Sequence, residues 1–139
     1  MNDIERLLIE NACHKQIIRF ARLSDLGDYE ALVAMFTETA TFSRPTKPDV
    51  PLVGRRAIFD AFENRPLRKS VHLVSNIIVD VKDSDNATTR SHIALFTSPL
   101  TVELAHKPYL VGHYEDELQR VDGQWLFASR IGGVDFKIE

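Results

Sequence analysis

One cysteine in 139 residues leaves no internal disulfide, and Cys13 sits in an apolar helical stretch as a small core residue. The missing disulfide framework favours a reducing compartment. No signal peptide is visible, because the opening "MNDIERLLIE" is charged and amphipathic where such a peptide is continuously apolar. A cytoplasmic location is the expectation. No apolar run approaches the ~20 residues that cross a membrane, so no membrane partner is expected. Neither sign of charge dominates: 17 Lys and Arg against 20 Asp and Glu give a net −3. The basic residues are scattered, which argues against nucleic acid as a partner. Their densest stretch, "RPLRKS" (65–70), reads as a solvated turn. The six glycines build no phosphate loop, since "IGGVDF" (131–136) follows a strand but opens no helix. The five histidines show no compact ligand spacing, so neither a metal nor another cofactor is expected.

What is present suits one domain over residues 1–139, with 44% hydrophobic and 27% charged residues. From Asp3 to about Leu26, apolar residues recur at three- and four-residue spacing (Ile4, Leu7, Leu8, Cys13, Ile17, Phe20, Ala21). The pattern predicts an amphipathic helix, interrupted near Asn11. A second helix follows, with Tyr29, Leu32, Val33 and Phe36 on one stripe. "TATFS" (39–43) reads as a short strand, and "RPTKPDVPLVG" (44–54), with its three prolines, as a loop over one edge. "RRAIFDAFEN" (55–64) is a short helix with Ile58, Phe59 and Phe62 inward. Long strands are expected at 70–82, 87–98, about 108–121 and 124–131, separated by turn signals at "DSDN" (83–86) and "VDGQ" (121–124). Three helices before a largely antiparallel sheet define an α+β domain. A strongly curved sheet closed by such helices leaves a conical pocket.

"RLSDLGDYEAL" (22–32) holds two aspartates around a helix stop. Gly27 is the expected left-handed cap, and Asp28 is a good N-cap for the next helix. Asp25 has no such local job. It lies one turn past Ala21 and two past Ile18, on a flank with apolar side chains, where an unpaired carboxylate is costly. Its charge also opposes the dipole at a helix C-terminus.

The order of elements resembles the SnoaL-like group of the nuclear transport factor 2-like superfamily. The stretches that carry the resemblance are "RFARLSDLGDYEALVAMFTETATFS", "SVHLVSN" and "VGHYEDELQRVDGQWLFASR", which span nearly the whole chain. The group includes scytalone dehydratase, bile-acid dehydratases and lindane dehydrochlorinase, which remove a small leaving group from cyclic, mostly apolar substrates. It also holds isomerases, cyclases, dioxygenase subunits and proteins with no known chemistry. The resemblance implies a cone-shaped barrel with a homodimer or homotrimer formed on the open sheet face. It implies that Asp25, at the end of the first helix, pairs with His72 on the first long strand. Arg130 falls where the dehydrochlorinase and bile-acid enzymes carry a functional arginine. Phe20, Ser24, Thr97 and Tyr114 fall on substrate-binding positions but depart from the scytalone dehydratase pattern or from other members, which argues against scytalone as substrate.

The chemistry fits the pairing. A neutral imidazole takes a proton near neutral pH, and a carboxylate on its other nitrogen fixes the tautomer and stabilises the imidazolium. His72 shares a strand face with Val74. The other histidines are less suited. His14 is on the flank of Asp25 but about 16 Å away along the helix. His92 and His113 alternate onto the opposite face, and His106 lies in a loop. Alternation sets Arg130 opposite Trp125 and Phe127, where its guanidinium is open either to a leaving anion or to an ion pair with Asp116 or Asp135. The expected function is a cofactor-independent lyase or isomerase on a small cyclic hydrophobic molecule. The alternative is a noncatalytic ligand-binding protein or a subunit like the β-subunit of a ring-hydroxylating dioxygenase. A hydrogen bond between Asp25 and a His72 that faces an open cavity favours the enzyme; a His72 packed without access favours the alternative.

Overall fold

The structure is a computed structural model that describes residues 1–99 and 108–138; the loop expected at His106 lies outside the described residues. Helix α1 runs from Asp3 to Leu26 without a break at Asn11. Asn2 caps it by accepting the Glu5 N–H at 2.8 Å, and Ile9, Cys13, Ile17, Phe20 and Ser24 form its buried stripe. Ile4, Leu7 and Leu8, expected on that stripe, are exposed. At ~100° per residue, Leu8 and Leu7 sit well round the axis from Ile9. None of the described helices is long and apolar enough to cross a membrane.

Gly27 stops α1 with φ 77, its N–H reaching the Leu23 and Ser24 carbonyls. Asp28 caps α2 (Tyr29–Val33), accepting the Ala31 N–H at 3.2 Å. This helix is shorter than the apolar stripe suggested, because Phe36 opens strand β1 (Phe36–Arg44). An apolar residue seven positions on satisfies a helix face and a buried strand end equally. Strand β2 (Lys47–Val53) replaces the expected proline loop. Among the described residues it is an edge strand paired only with β1, a place that tolerates proline. Helix α3 (Arg55–Glu63) then buries Ile58 and Phe62.

Four long strands follow: β3 (Arg68–Val81), β4 (Asn86–Pro99), β5 (Leu110–Val121) and β6 (Gln124–Lys137). The sheet order is β2-β1-β6-β5-β4-β3, with β1 and β6 parallel and every other pair antiparallel. The architecture is α+β, a mixed sheet that does not close, with the helices covering its inner face. Asp122 and Gly123, at φ 51 and 80, make the two-residue turn between β5 and β6. Strand β6 runs on to Lys137 rather than ending at Ile131. Inside the curve, the Phe20 ring lies 5.9 Å from Phe36, 5.7 Å from Phe42 and 5.8 Å from Phe127, all edge-on.

Candidate functional site

Asp25 and His72 meet because the last turn of α1 lies against the start of β3. The Asp25 carboxylate accepts from three donors: His72 Nδ1 at 2.6 Å, the His72 backbone N–H at 2.8 Å and the Ser70 hydroxyl at 2.9 Å. Both side chains are largely shielded, at 17% exposure for Asp25 and 12% for His72. Burial pushes the Asp25 carboxyl up, but the hydrogen bonds and charge of His72, with the Ser70 hydroxyl, outweigh it and hold the group below the usual carboxylate value. An ionised carboxylate only accepts, so Nδ1 carries a proton, and in the neutral ring Nε2 then keeps its lone pair.

His72 lines a cavity of about 290 Å³. Phe20, Ser24, Phe42, Phe62, Ile93 and Tyr114 share its wall, whereas Asp25 stands behind the imidazole. Burial raises the Tyr114 hydroxyl further, against the pull of Arg130, so it stays a protonated donor. Thr97 pairs with Ser70 across β3 and β4 but is off the cavity wall.

Arg130 is not where alternation put it. Glu117 pairs with Ser129 and Leu118 with Phe127, which leaves Ala128 as an extra residue in β6. The bulge shifts the phase of the strand and brings Arg130 onto the face of Phe127. The guanidinium lies 3.7 Å from the Tyr114 ring, 4.3 Å from Phe20 and 4.7 Å from Phe127. It is 1% exposed, absent from the cavity wall, and 3.6 Å from Asp116 through Nε. That distance is an ion pair rather than a hydrogen bond. Asp116 also accepts from Thr89 at 2.7 Å, and burial raises its carboxyl while Arg130 draws it back. Of the two partners left open for Arg130, the buried acid Asp116 is the one it has among the described residues.

Two groups on the wall were hidden in the sequence. Arg65 and Arg68, read as part of a solvated turn, both line the cavity. Arg44, Pro45, Thr46 and Lys47 of the supposed edge loop do so as well. Among the described residues, no group of three His, Cys, Asp or Glu converges as a metal site.

The fold has relatives. The chain belongs to the SnoaL-like domain family, whose pattern covers residues 5–131. A "putative scytalone dehydratase" from Novosphingobium aromaticivorans superposes with a TM-score of 0.83 at 26% identity, covering 99% of this chain and 94% of its own. A single-site variant of Rv3472, a protein of unknown function from Mycobacterium tuberculosis, gives 0.82 at 25% identity, covering 99% and 79%. An NTF2-like protein with a cystatin-like fold from N. aromaticivorans, at 22% identity and TM-score 0.78 over 94% and 84% of the two chains, shares the fold. No curated protein matches the chain.

Proposed function

We propose that the chain is a cofactor-independent lyase or isomerase for a small cyclic hydrophobic molecule, with His72 as general base and Asp25 as the residue that orients it. The observation that carries this reading is the 2.6 Å contact between Asp25 and an imidazole that itself lines the cavity. A cavity of about 290 Å³ is at the small end for ligand sites, which suits one or two rings. In an elimination, Nε2 takes a proton from carbon, the C–H electron pair becomes the new π bond, and the leaving group departs with its bonding pair. In an isomerisation the imidazolium returns the proton to a different carbon. Both reactions balance without a redox partner. Asp25 offsets the charge that His72 acquires, and Tyr114 donates a hydrogen bond to a substrate oxygen on which charge builds. Phe20 and Ser24 complete the wall against the ring. Arg130 acts behind Tyr114, as a residue that positions the phenol. The likeness to the dehydratase-named structure agrees with an elimination.

The test is a mutant cycle on cyclic β-hydroxy and β-halo ketones. His72→Ala should lower turnover by ~10² to 10⁴, the usual worth of a general base. Asp25→Asn should lose most of the rate, and the double variant should be little worse than His72→Ala, since the two act as a unit. Folded single variants that keep near-normal rates on a turned-over compound would sink the proposal.

A further inference from the structure

The cavity wall carries four cationic side chains, Arg44, Lys47, Arg65 and Arg68, and among the described residues it holds no carboxylate. Nor does any described acid lie within ion-pair distance of these four. The Nε atoms of Arg44, Arg65 and Arg68 are buried without a hydrogen-bond partner among the described residues. Arg65 is held in place, its Nη2 donating to the Tyr29 hydroxyl at 3.2 Å and its guanidinium lying 4.7 Å over Phe62. Arg68 stands three residues on, at the start of β3, and the two positive charges repel each other. Asp25, whose charge reaches Arg68 without an ion pair, is already engaged by its three donors. In a chain with net charge −3, gathering cations where no described acid pairs with them costs free energy unless a ligand supplies the opposite charge.

We infer that the molecule taken by this cavity carries a carboxylate on its ring, seated between Arg65 and Arg68. The aromatic part of the wall (Phe20, Phe42, Phe62 and Tyr114) takes the ring, and the planar guanidinium forks match a carboxylate in geometry and charge. The volume leaves room for a ring and one small anion. This rests on the cavity being the substrate site, and it narrows the substrate from hydrophobic cyclic molecules to cyclic acids.

Calorimetric titration of the full chain with benzoate and the naphthoates, each against its methyl ester, tests it without turnover. The acids should bind on the order of tenfold or more tighter than their esters. Arg68→Gln, whose side chain makes no hydrogen bond among the described residues, should erase most of that margin and leave ester binding unchanged. Arg65→Gln should act the same way, with melting curves to check its packing against Tyr29 and Phe62. His72→Ala should keep the margin, so loss of catalysis and loss of acid recognition are read separately. Equal binding of acid and ester, no binding of either at millimolar concentration, a margin that survives in both arginine variants, or tighter binding of phenyl phosphate than of benzoate would overturn the assignment.

Discussion

Asp25 shows how one residue can be legible in type and hidden in geometry. The sequence exposes it as a carboxylate with no capping duty at a helix end that disfavours negative charge. The three donors that fix it come from β3, some forty-five residues away, and only folding brings them together. Its carboxyl sits below its ordinary value, so the folded pKa is lower than the ~3.9 of an unfolded aspartate. The stability this contributes is fully present above the unfolded value and is lost as pH falls through the folded one. Asp25→Asn should therefore destabilise the protein near neutral pH, and the gap to wild type should shrink as the medium is acidified. Urea unfolding of both proteins at a series of pH values measures it. A gap that widens in acid would mean the carboxylate is not stabilised by its partners. Arg130 was less legible. Strict alternation along β6 sets it apart from Phe127, and nothing in the residue types announces the bulge at Ala128 that joins them.

At the scale of elements, the helices and the four long strands follow from periodicity, capping and turn residues, and structure departs from pattern where one pattern serves two structures. Phe36 fits a helix stripe and a strand end alike, so the apolar stripe runs past the end of α2. The prolines of β2 argue against a central strand but are compatible with an edge. The basic turn before β3 looks like any solvated charge run until Tyr29 and Phe62 hold Arg65 inward. Gly27 is the clearest element boundary: its φ of 77 is left-handed, and a Cβ there would meet nothing within 4 Å. The cost of a side chain is therefore one of backbone alone, about 1 kcal/mol for Gly27→Ala. Thermal unfolding should show Tm lower by a few degrees, and Gly27→Asn should recover part of the loss. An unchanged Tm for Gly27→Ala would mean that the cap relaxes out of the left-handed region.

For the whole molecule, the sheet face turned away from the helices carries an apolar row across four strands: Leu73 pairs with Ala94, Ala94 with Val111, and Val111 with Phe136. Leu73 is 56% exposed and Phe136 69%. A continuous row of this kind fits burial against a second copy, and the homodimer or homotrimer implied by the family resemblance is proposed to form here. Sedimentation should find an oligomer in the wild type, and Leu73→Glu should shift it to monomer without loss of secondary structure. A wild-type protein that stays monomeric at high concentration would remove this part of the account.

We propose that Asp25 fixes His72 with a proton on Nδ1, so that the neutral ring offers the Nε2 lone pair to the cavity. Nitrogen NMR of the histidine rings reads that arrangement directly and requires no substrate. In the neutral form, His72 should show a protonated Nδ1 and an unprotonated Nε2, and Asp25→Asn should shift or scramble that tautomer while the other described histidines keep theirs. A His72 that is protonated on Nε2 when neutral, or a tautomer indifferent to Asp25→Asn, would contradict the account.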